Sequence, residues 1–303
     1  MHRDDKIIIT SELVELIKAM AMNFAASIGA DPAEYYQQYY LNLAPHAEII
    51  STIGRNFGFK KGDRILEIGS GLGTKCLIGT AMFGADFTGL EPCANSYFDL
   101  KRAIVTFQDA NPHLPYRSVS TSGESTGFAE NYFDYVLSFE VLEHVQNPAQ
   151  VIDEMHRVLR PGGKIFISSC NYASFYEGHF RCFWFPFLSS KLQRKYLRLI
   201  GRNDNFLNEI NLITKRKIRR FLNEAGFGKI RFQGCYHFRS GDELCIEYPA
   251  DYIKTNGVSR AKLIQRLVQA GLVQNLLSTF DREYKLYLIA EKLNPPLMAG
   301  GTV

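Results

Sequence analysis

The chain lacks any uninterrupted apolar run long enough to form a membrane-spanning helix. No leader is expected, because Met1–Lys6 is charged and Ile7–Ile9 is too short for the apolar core of a signal peptide. These absences lead us to expect a cytoplasmic protein with no integral membrane segment. Cysteine is sparse. Cys76, Cys93, Cys170, Cys182, Cys235 and Cys245 are scattered with no Cys-x-x-Cys pair, which disfavours a disulfide scaffold or a zinc site and predicts free thiols. Internal repeats and low-complexity tracts are missing, and so is a strong charge of either sign. Thirty-five Lys and Arg against 31 Asp and Glu leave +4, too little to indicate a nucleic-acid partner. What remains is the composition of an ordinary folded protein, 46% hydrophobic and 22% charged over 303 residues, enough to bury a full core.

The order of patterns along the chain suggests an α/β protein. The first 60 residues read as helices. Leu13, Leu16, Ile17, Met20, Ala21 and Phe24 fall at helical spacing up to Gly29. A second helix is expected from Asp31-Pro32-Ala33-Glu34, and a third from about His46 to Phe57. From Lys61 strands and helices alternate, as in a parallel sheet covered on both faces. The strand candidates are 64–68, 86–90, 116–120, 135–138, 164–169, 229–236 and 284–291. Helices are expected at 74–83, 94–109, 147–159, 214–225 and 259–277, with Arg160-Pro161-Gly162-Gly163 as a sharp turn before the fifth strand. Five segments follow: a helical cap at 1–60, a core at 61–170, an insertion at 171–213, a C-terminal completion of the sheet at 214–293, and a Pro/Gly-rich tail at 294–303.

The most informative stretch is Arg64-Ile65-Leu66-Glu67-Ile68-Gly69-Ser70-Gly71-Leu72-Gly73-Thr74. Ile65, Leu66 and Ile68 make a buried strand, and glycines follow at every second position. Glycine at a strand-to-helix turn lets the backbone approach a ligand with no Cβ in the way, and the N–H groups of the next helix point at that ligand. A dinucleotide fingerprint would require its third glycine at position 74, where this chain has Thr74, so an NAD(P)-dependent oxidoreductase is disfavoured. Strand 2 then delivers Glu91, placed to accept hydrogen bonds from ribose hydroxyls at the carboxyl end of the sheet. Pro92 follows it.

The acidic-x-Gly-x-Gly-x-Gly pattern resembles motif I of the class I S-adenosylmethionine (SAM) methyltransferases. Val141-Leu142-Glu143-His144-Val145 and Glu154-Met155-His156-Arg157-Val158-Leu159-Arg160-Pro161-Gly162-Gly163 resemble segments of the ubiquinone-biosynthesis-like small-molecule methyltransferases. The resemblance covers Lys61 to about Ser169 and extends more weakly to Glu224-Ala225-Gly226-Phe227. It implies a doubly wound, seven-stranded, mostly parallel sheet, with N-terminal helices and a helical, aromatic insertion after strand 5. It also implies SAM as cofactor, bound by Glu67, Gly69, Ser70, Gly71, Gly73, Glu91, Pro92, Gly123, Glu124, Ser125, Phe139 and Glu140. Glu124 takes the slot of the acid that faces the adenine amino group.

Methyl transfer asks the protein to orient an acceptor and sometimes to remove its proton. His144, beyond strand 4, is the candidate base. Glu140, Glu143 and His144 would share one face of a helix, and with His179 they could form a divalent-metal site like that of the plant-type small-RNA 2′-O-methyltransferases. Helix packing explains the same residues, so no metal is expected. The insertion carries Tyr172, Phe175, Tyr176, Phe180, Phe183, Trp184, Phe185, Phe187 and Tyr196, and we read it as an acceptor lid. Between Arg181 and Arg231 there are 13 Lys and Arg against 3 Asp and Glu. That rim suits an anionic or phosphate-bearing substrate, or one held near a membrane surface. The Lys215–Arg220 cluster reads as a solvated helix face. The expected activity is SAM-dependent methylation of a small-molecule acceptor, on O or N. A non-catalytic SAM-binding protein is the alternative, disfavoured by the undamaged glycine turn and ribose acid.

Overall fold

The structure is a computed structural model that describes residues 6–28, 40–93, 100–180, 182–233, 246–247 and 285–294. Strand β1 (Ile7–Ile8) leads into helix α1 (Ser11–Ile28), where the Thr10 hydroxyl accepts from the Leu13 N–H and caps the first turn. Helix α2 (Leu43–Phe57) begins three residues earlier than expected and stops at Gly58, whose φ of 78° closes it. The helix expected after Asp31, the one at 259–277 and the start of the one at 94–109 lie outside the described residues.

The central layer is a seven-stranded sheet. It contains β2 (Arg64–Ile68), β3 (Asp86–Leu90), β4 (Arg117–Val119), β5 (Phe133–Phe139), β6 (Leu159–Cys170), β9 (Phe227–Gln233) and β11 (Lys285–Lys292). Across the sheet the order is β4-β3-β2-β5-β6-β11-β9. β11 runs antiparallel to both neighbours, and the pairs from β4 to β6 are parallel. The winding reverses between β2 and β5, and this is where an open α/β sheet leaves a crevice for a ligand.

Helices cover both faces. On one side α1 and α2 join α3 (Thr74–Phe83) and α4 (Leu100–Ala110), burying Leu13, Ile17, Ile50, Ile53, Leu77 and Phe107 together. On the other, α5 (Pro148–Val158) and α7 (Lys215–Glu224) bury Val151, Met155, Ile218 and Leu222. The amino-terminal helices therefore share one core with the sheet. α7 starts as expected: the Thr214 side chain accepts from the Lys217 N–H, and Ile213 and Ile218 are both fully buried.

The insertion folds as a two-stranded hairpin, β7 (Tyr176–Glu177) and β8 (Cys182–Phe183), followed by α6 (Ser190–Leu199) and a 3₁₀ turn at Asn205–Asn208. Trp184, 1% exposed, pins it to the sheet's second face. Two further strand residues, β10 (Ile246–Glu247), pair in parallel with β1.

Two sequence expectations are corrected. Arg160-Pro161-Gly162-Gly163 is not a turn ahead of the strand but a bulge within β6. The partner of Phe133 is Leu159 and that of Tyr135 is Lys164, so the extra residues loop out at Gly162 (φ 73°) while Arg160 holds Asp134 at 2.5 Å. Residues 140–147 form turns rather than a helix. Glu140 takes a left-handed φ of 57°, and the carbonyl oxygens of Glu143 and Val145 accept from Asn211 of the insertion (2.6 and 2.5 Å). The helix begins only where Pro148 fixes a helical φ behind an Asn147 cap.

Candidate active site

The crevice above β2 and β5 is built first by backbone. Gly69, Gly71 and Gly73 all have left-handed φ, at 73°, 53° and 78°. Their surroundings differ. A Cβ on Gly69 would strike Val141 and one on Gly73 would strike the Tyr116 ring, whereas one on Gly71 would meet nothing within 4 Å. The outer two glycines are needed for packing, and the middle one faces open space. That empty cradle at the start of α3 fits a ligand that lies against backbone N–H groups. Ser70 is buried beneath it.

Glu91 leaves the end of β3 and its Oε2 accepts from the Gly71 N–H at 2.9 Å. Burial raises its pKa, and the hydrogen bond from Gly71 offsets part of that rise. Pro92, which follows, is exposed. Glu67 is fully buried and is held by Lys75 Nζ (3.2 Å) and by the Cys76 thiol (3.2 Å). Lys75 also lies 4.6 Å over the Phe139 ring, so Glu67 and Phe139 clamp the first turn of α3 from below. Gly123 is packed on Ile68 and Val151, where a side chain would not fit. Glu124 Oε1 accepts from the Gln146 and Asn147 N–H groups at 2.9 and 3.3 Å, which ties the loop after β4 to the start of α5. Ser125 is exposed beside it, its N–H donating to Ser122 O at 3.4 Å.

At the end of β5 the acids gather differently from the sequence expectation. Carboxylate oxygens of Glu140 and Glu143 and the Cys170 thiol lie within 4.8 Å of one another. His144 and His179 are not part of that convergence, so the four-residue metal set read from the sequence is not assembled. Glu140 accepts from the Ser168 hydroxyl (2.9 Å) and pairs with Lys285 Nζ (3.3 Å). Burial alone would raise its pKa, but Lys285 and Ser168 outweigh that and lower it. Glu143, fully buried, accepts from the Ser169 hydroxyl (2.9 Å) and the Cys170 N–H (3.2 Å). Burial and then the Glu140 charge push its pKa up to about 7. Burial keeps the Cys170 thiol protonated, and Lys285 already supplies the countercharge, so these groups do not fit a hard divalent cation.

The two imidazoles form a second cluster. The His179 ring stands edge-on to His144 with centroids 5.2 Å apart, and Phe206 packs against both. His179 Nδ1 is hydrogen-bonded to Glu177 Oε1 at 2.7 Å, with the Tyr172 hydroxyl at 3.4 Å. Burial alone would lower the His179 pKa, but the buried Glu177 carboxylate overrides it and raises the value. His144 is exposed at its outer side, and desolvation by the groups packed around its ring, then the His179 charge, hold it below the ordinary imidazole range. Glu177, Cys170, Lys285 and Asn211 escaped the sequence reading. No spacing marks them, because they come from a hairpin, a strand end, the last strand and a loop that only the fold brings together. Cys76, Cys93, Cys170 and Cys182 are free thiols, as expected.

Residues 37–231 match a family model described as a methyltransferase domain. A ubiquinone biosynthesis O-methyltransferase of Dechloromonas aromatica is 34% identical over 110 residues, covering 36% of this chain and 45% of that protein. The chain thus matches less than half the length of that relative. Among solved structures, a candidate methyltransferase in complex with the Trm112 methyltransferase activator of Haloferax volcanii has a TM-score of 0.51 at 14% identity, covering 90% of this chain and 98% of that one. A candidate sarcosine dimethylglycine methyltransferase of Galdieria sulphuraria has a TM-score of 0.50 at 12% identity, covering 88% and 90%. At these identities the likeness concerns the fold.

Proposed function

The chain belongs to the methyltransferase-domain family, of the class I SAM-dependent kind, and on that premise we propose that it methylates a small-molecule acceptor held between the sheet and the insertion. The observation that carries the proposal is the triple of left-handed glycines with Glu91 bonded to the Gly71 N–H and open space at the Gly71 Cβ position. Gly69, Ser70, Gly71 and Gly73 would hold the cofactor from the backbone, with Glu91 on its ribose. The exposed edge of Glu124 and Ser125 would lie toward the base. When bound, SAM supplies an activated methyl on a sulfonium sulfur.

The chain's own contribution is then to orient the acceptor and take its proton. Two imidazoles meet beyond the end of β5. His179 is the better base, because Glu177 fixes the proton on Nδ1, leaves the Nε2 lone pair for the acceptor, and stabilises the imidazolium that results. His144, kept neutral beside it, shapes the wall against which the acceptor lies. A hydroxyl acceptor is supported by the O-methyltransferase relative and by this base, since a phenol or alcohol must lose its proton as the new O–C bond forms. The modest net charge favours a small molecule over a nucleic acid.

Calorimetry and label transfer test the proposal together. Wild-type protein should bind SAM, and Glu91→Ala should weaken it by about 1.5–3 kcal/mol, as for a lost hydrogen bond to a charged group. Wild-type protein should also move labelled methyl from SAM into a component of a small-molecule extract. Tight binding with no transfer to any extract would make the chain a SAM-binding protein rather than an enzyme. Unchanged affinity in folded Glu91→Ala would remove Glu91 from the site.

A further inference from the structure

Large apolar side chains are unevenly exposed. Among the described residues eleven are exposed, and seven of them fall between 175 and 200: Phe175, Phe183, Phe185, Phe187, Leu192, Leu199 and Ile200. Phe183 is 54% exposed, Phe187 73% and Leu199 85%. They are contiguous. Ring contacts run from Phe187 to Phe175 (6.5 Å), on to Phe183 (5.9 Å) and Phe185 (4.9 Å), and end on Tyr196 of α6 (5.0 Å). On α6, Gln193 and Leu197 turn inward while Leu192, Tyr196 and Leu199, at i, i+4 and i+7, make an outward stripe that continues the ring ladder. Isolated exposed apolar residues are ordinary, but a connected patch of this kind marks an interaction surface.

The charge around it selects the partner. Arg181, Lys191, Arg194, Lys195, Arg198 and Arg202 lie between 181 and 202 with no acid among them. Arg194 and Arg198 are engaged by Asp204, at 3.3 and 2.8 Å, which fixes the helix, while Lys191 and Lys195 are exposed at its flank. A second copy of the chain is a poor occupant, because a two-fold contact would set these bases against themselves. A single-stranded nucleic acid would want free ring faces for stacking. Here rings pack on one another, and the stripe ends in aliphatic Leu192, Leu199 and Ile200, which offer hydrocarbon and nothing to stack.

We propose that this outer side of the insertion docks onto an anionic phospholipid bilayer. The phenylalanine ladder and the α6 stripe enter the headgroup–acyl boundary, and Lys191 and Lys195 stay level with the phosphates. The docking is peripheral, since no helix among the described residues is long and apolar enough to cross a membrane.

Co-sedimentation of the full chain with vesicles tests this in the absence of SAM, so that its outcome is separate from that of methyl transfer. The protein should pellet with phosphatidylcholine vesicles carrying about one third phosphatidylglycerol, less with phosphatidylcholine alone, and less as salt rises. Phe183→Ser with Phe187→Ser, and separately Lys191→Glu with Lys195→Glu, should each lower vesicle binding at least about tenfold while melting temperature and SAM affinity stay at the wild-type values. Absence of vesicle binding, or equal binding by both variants, would overturn the proposal. So would self-association that the phenylalanine variant abolishes, or preferential binding to a single-stranded oligouridine.

Discussion

Single side chains in this cleft do unlike jobs with like chemistry. Glu140 is lowered by Lys285 and Ser168, Glu143 is raised to about 7 by burial and its neighbour, and Glu177 spends its charge on His179. The raised pKa of His179 has a kinetic signature. A base must be unprotonated to act, so kcat should climb as pH passes its pKa, above the ordinary imidazole value. Removing the Glu177 charge destabilises the imidazolium, so Glu177→Gln should move that acidic limb to lower pH and lower the plateau. His179→Asn should cost about 10²–10⁴-fold in kcat, and His144→Asn distinctly less. A pH–rate profile of the three variants checks the assignment, and an unmoved limb in Glu177→Gln would exclude His179 as the titrating group. The glycine turn and Glu91 were legible in the sequence because a strand end, a left-handed turn and the next strand's acid keep a fixed spacing. The Glu177–His179 pair was not, because acid-x-His recurs in hairpins with no such meaning and only the fold supplies the second imidazole.

At the level of elements, the loop after β4 is held by a second carboxylate besides that of Glu124. Glu154 on α5 accepts from the Thr126 N–H (2.9 Å) and hydroxyl (2.6 Å), and from Arg157 Nε and Nη2 (2.6 and 2.7 Å). The Arg157 hydrogen bonds, working against burial and joined by Thr126, hold its pKa down to about 2. Glu154→Ala leaves the buried Thr126 groups without an acceptor and should cost about 2–3 kcal/mol in a urea melt. Glu154→Gln, which keeps part of the arrangement, should cost less. The stabilisation from Glu154 is present above the ordinary carboxylate range and is lost as pH falls toward 2, so the wild-type advantage over Glu154→Ala should shrink in acid. Element boundaries from sequence were right where a hard signal stood: 64–68, 74–83 and 86–90 agree with the structure to the residue. They failed at 140–147, where a helix-compatible pattern lost to tertiary hydrogen bonds from Asn211. They failed again at Arg160–Gly163, where Pro and Gly signalled a turn that the strand absorbs as a bulge.

Across the whole molecule, burying Glu143 links folding to pH. Its folded pKa, raised from the ordinary range to about 7, means that the folded state prefers the protonated acid. That contribution is complete below the unfolded pKa and disappears as pH rises through about 7. Glu143→Gln should therefore melt at a higher temperature than wild type at pH 8, with the difference closing at pH 5; scanning calorimetry at both values decides it. A last consequence lies in the strand order. β11 occupies an interior slot between β6 and β9, pairing Lys285 with Cys170 across 115 positions, and the same Lys285 meets Glu140. On a ribosome the chain emerges from its N-terminus, so β2 to β6 can assemble while β6 still shows an open edge and β9 has no neighbour to join. Synthesis past residue 292 closes that gap and delivers the countercharge to the cleft in one event. Nascent chains halted before it should carry a finished glycine turn beside an unfinished sheet, and so be the form of this protein that chaperones hold.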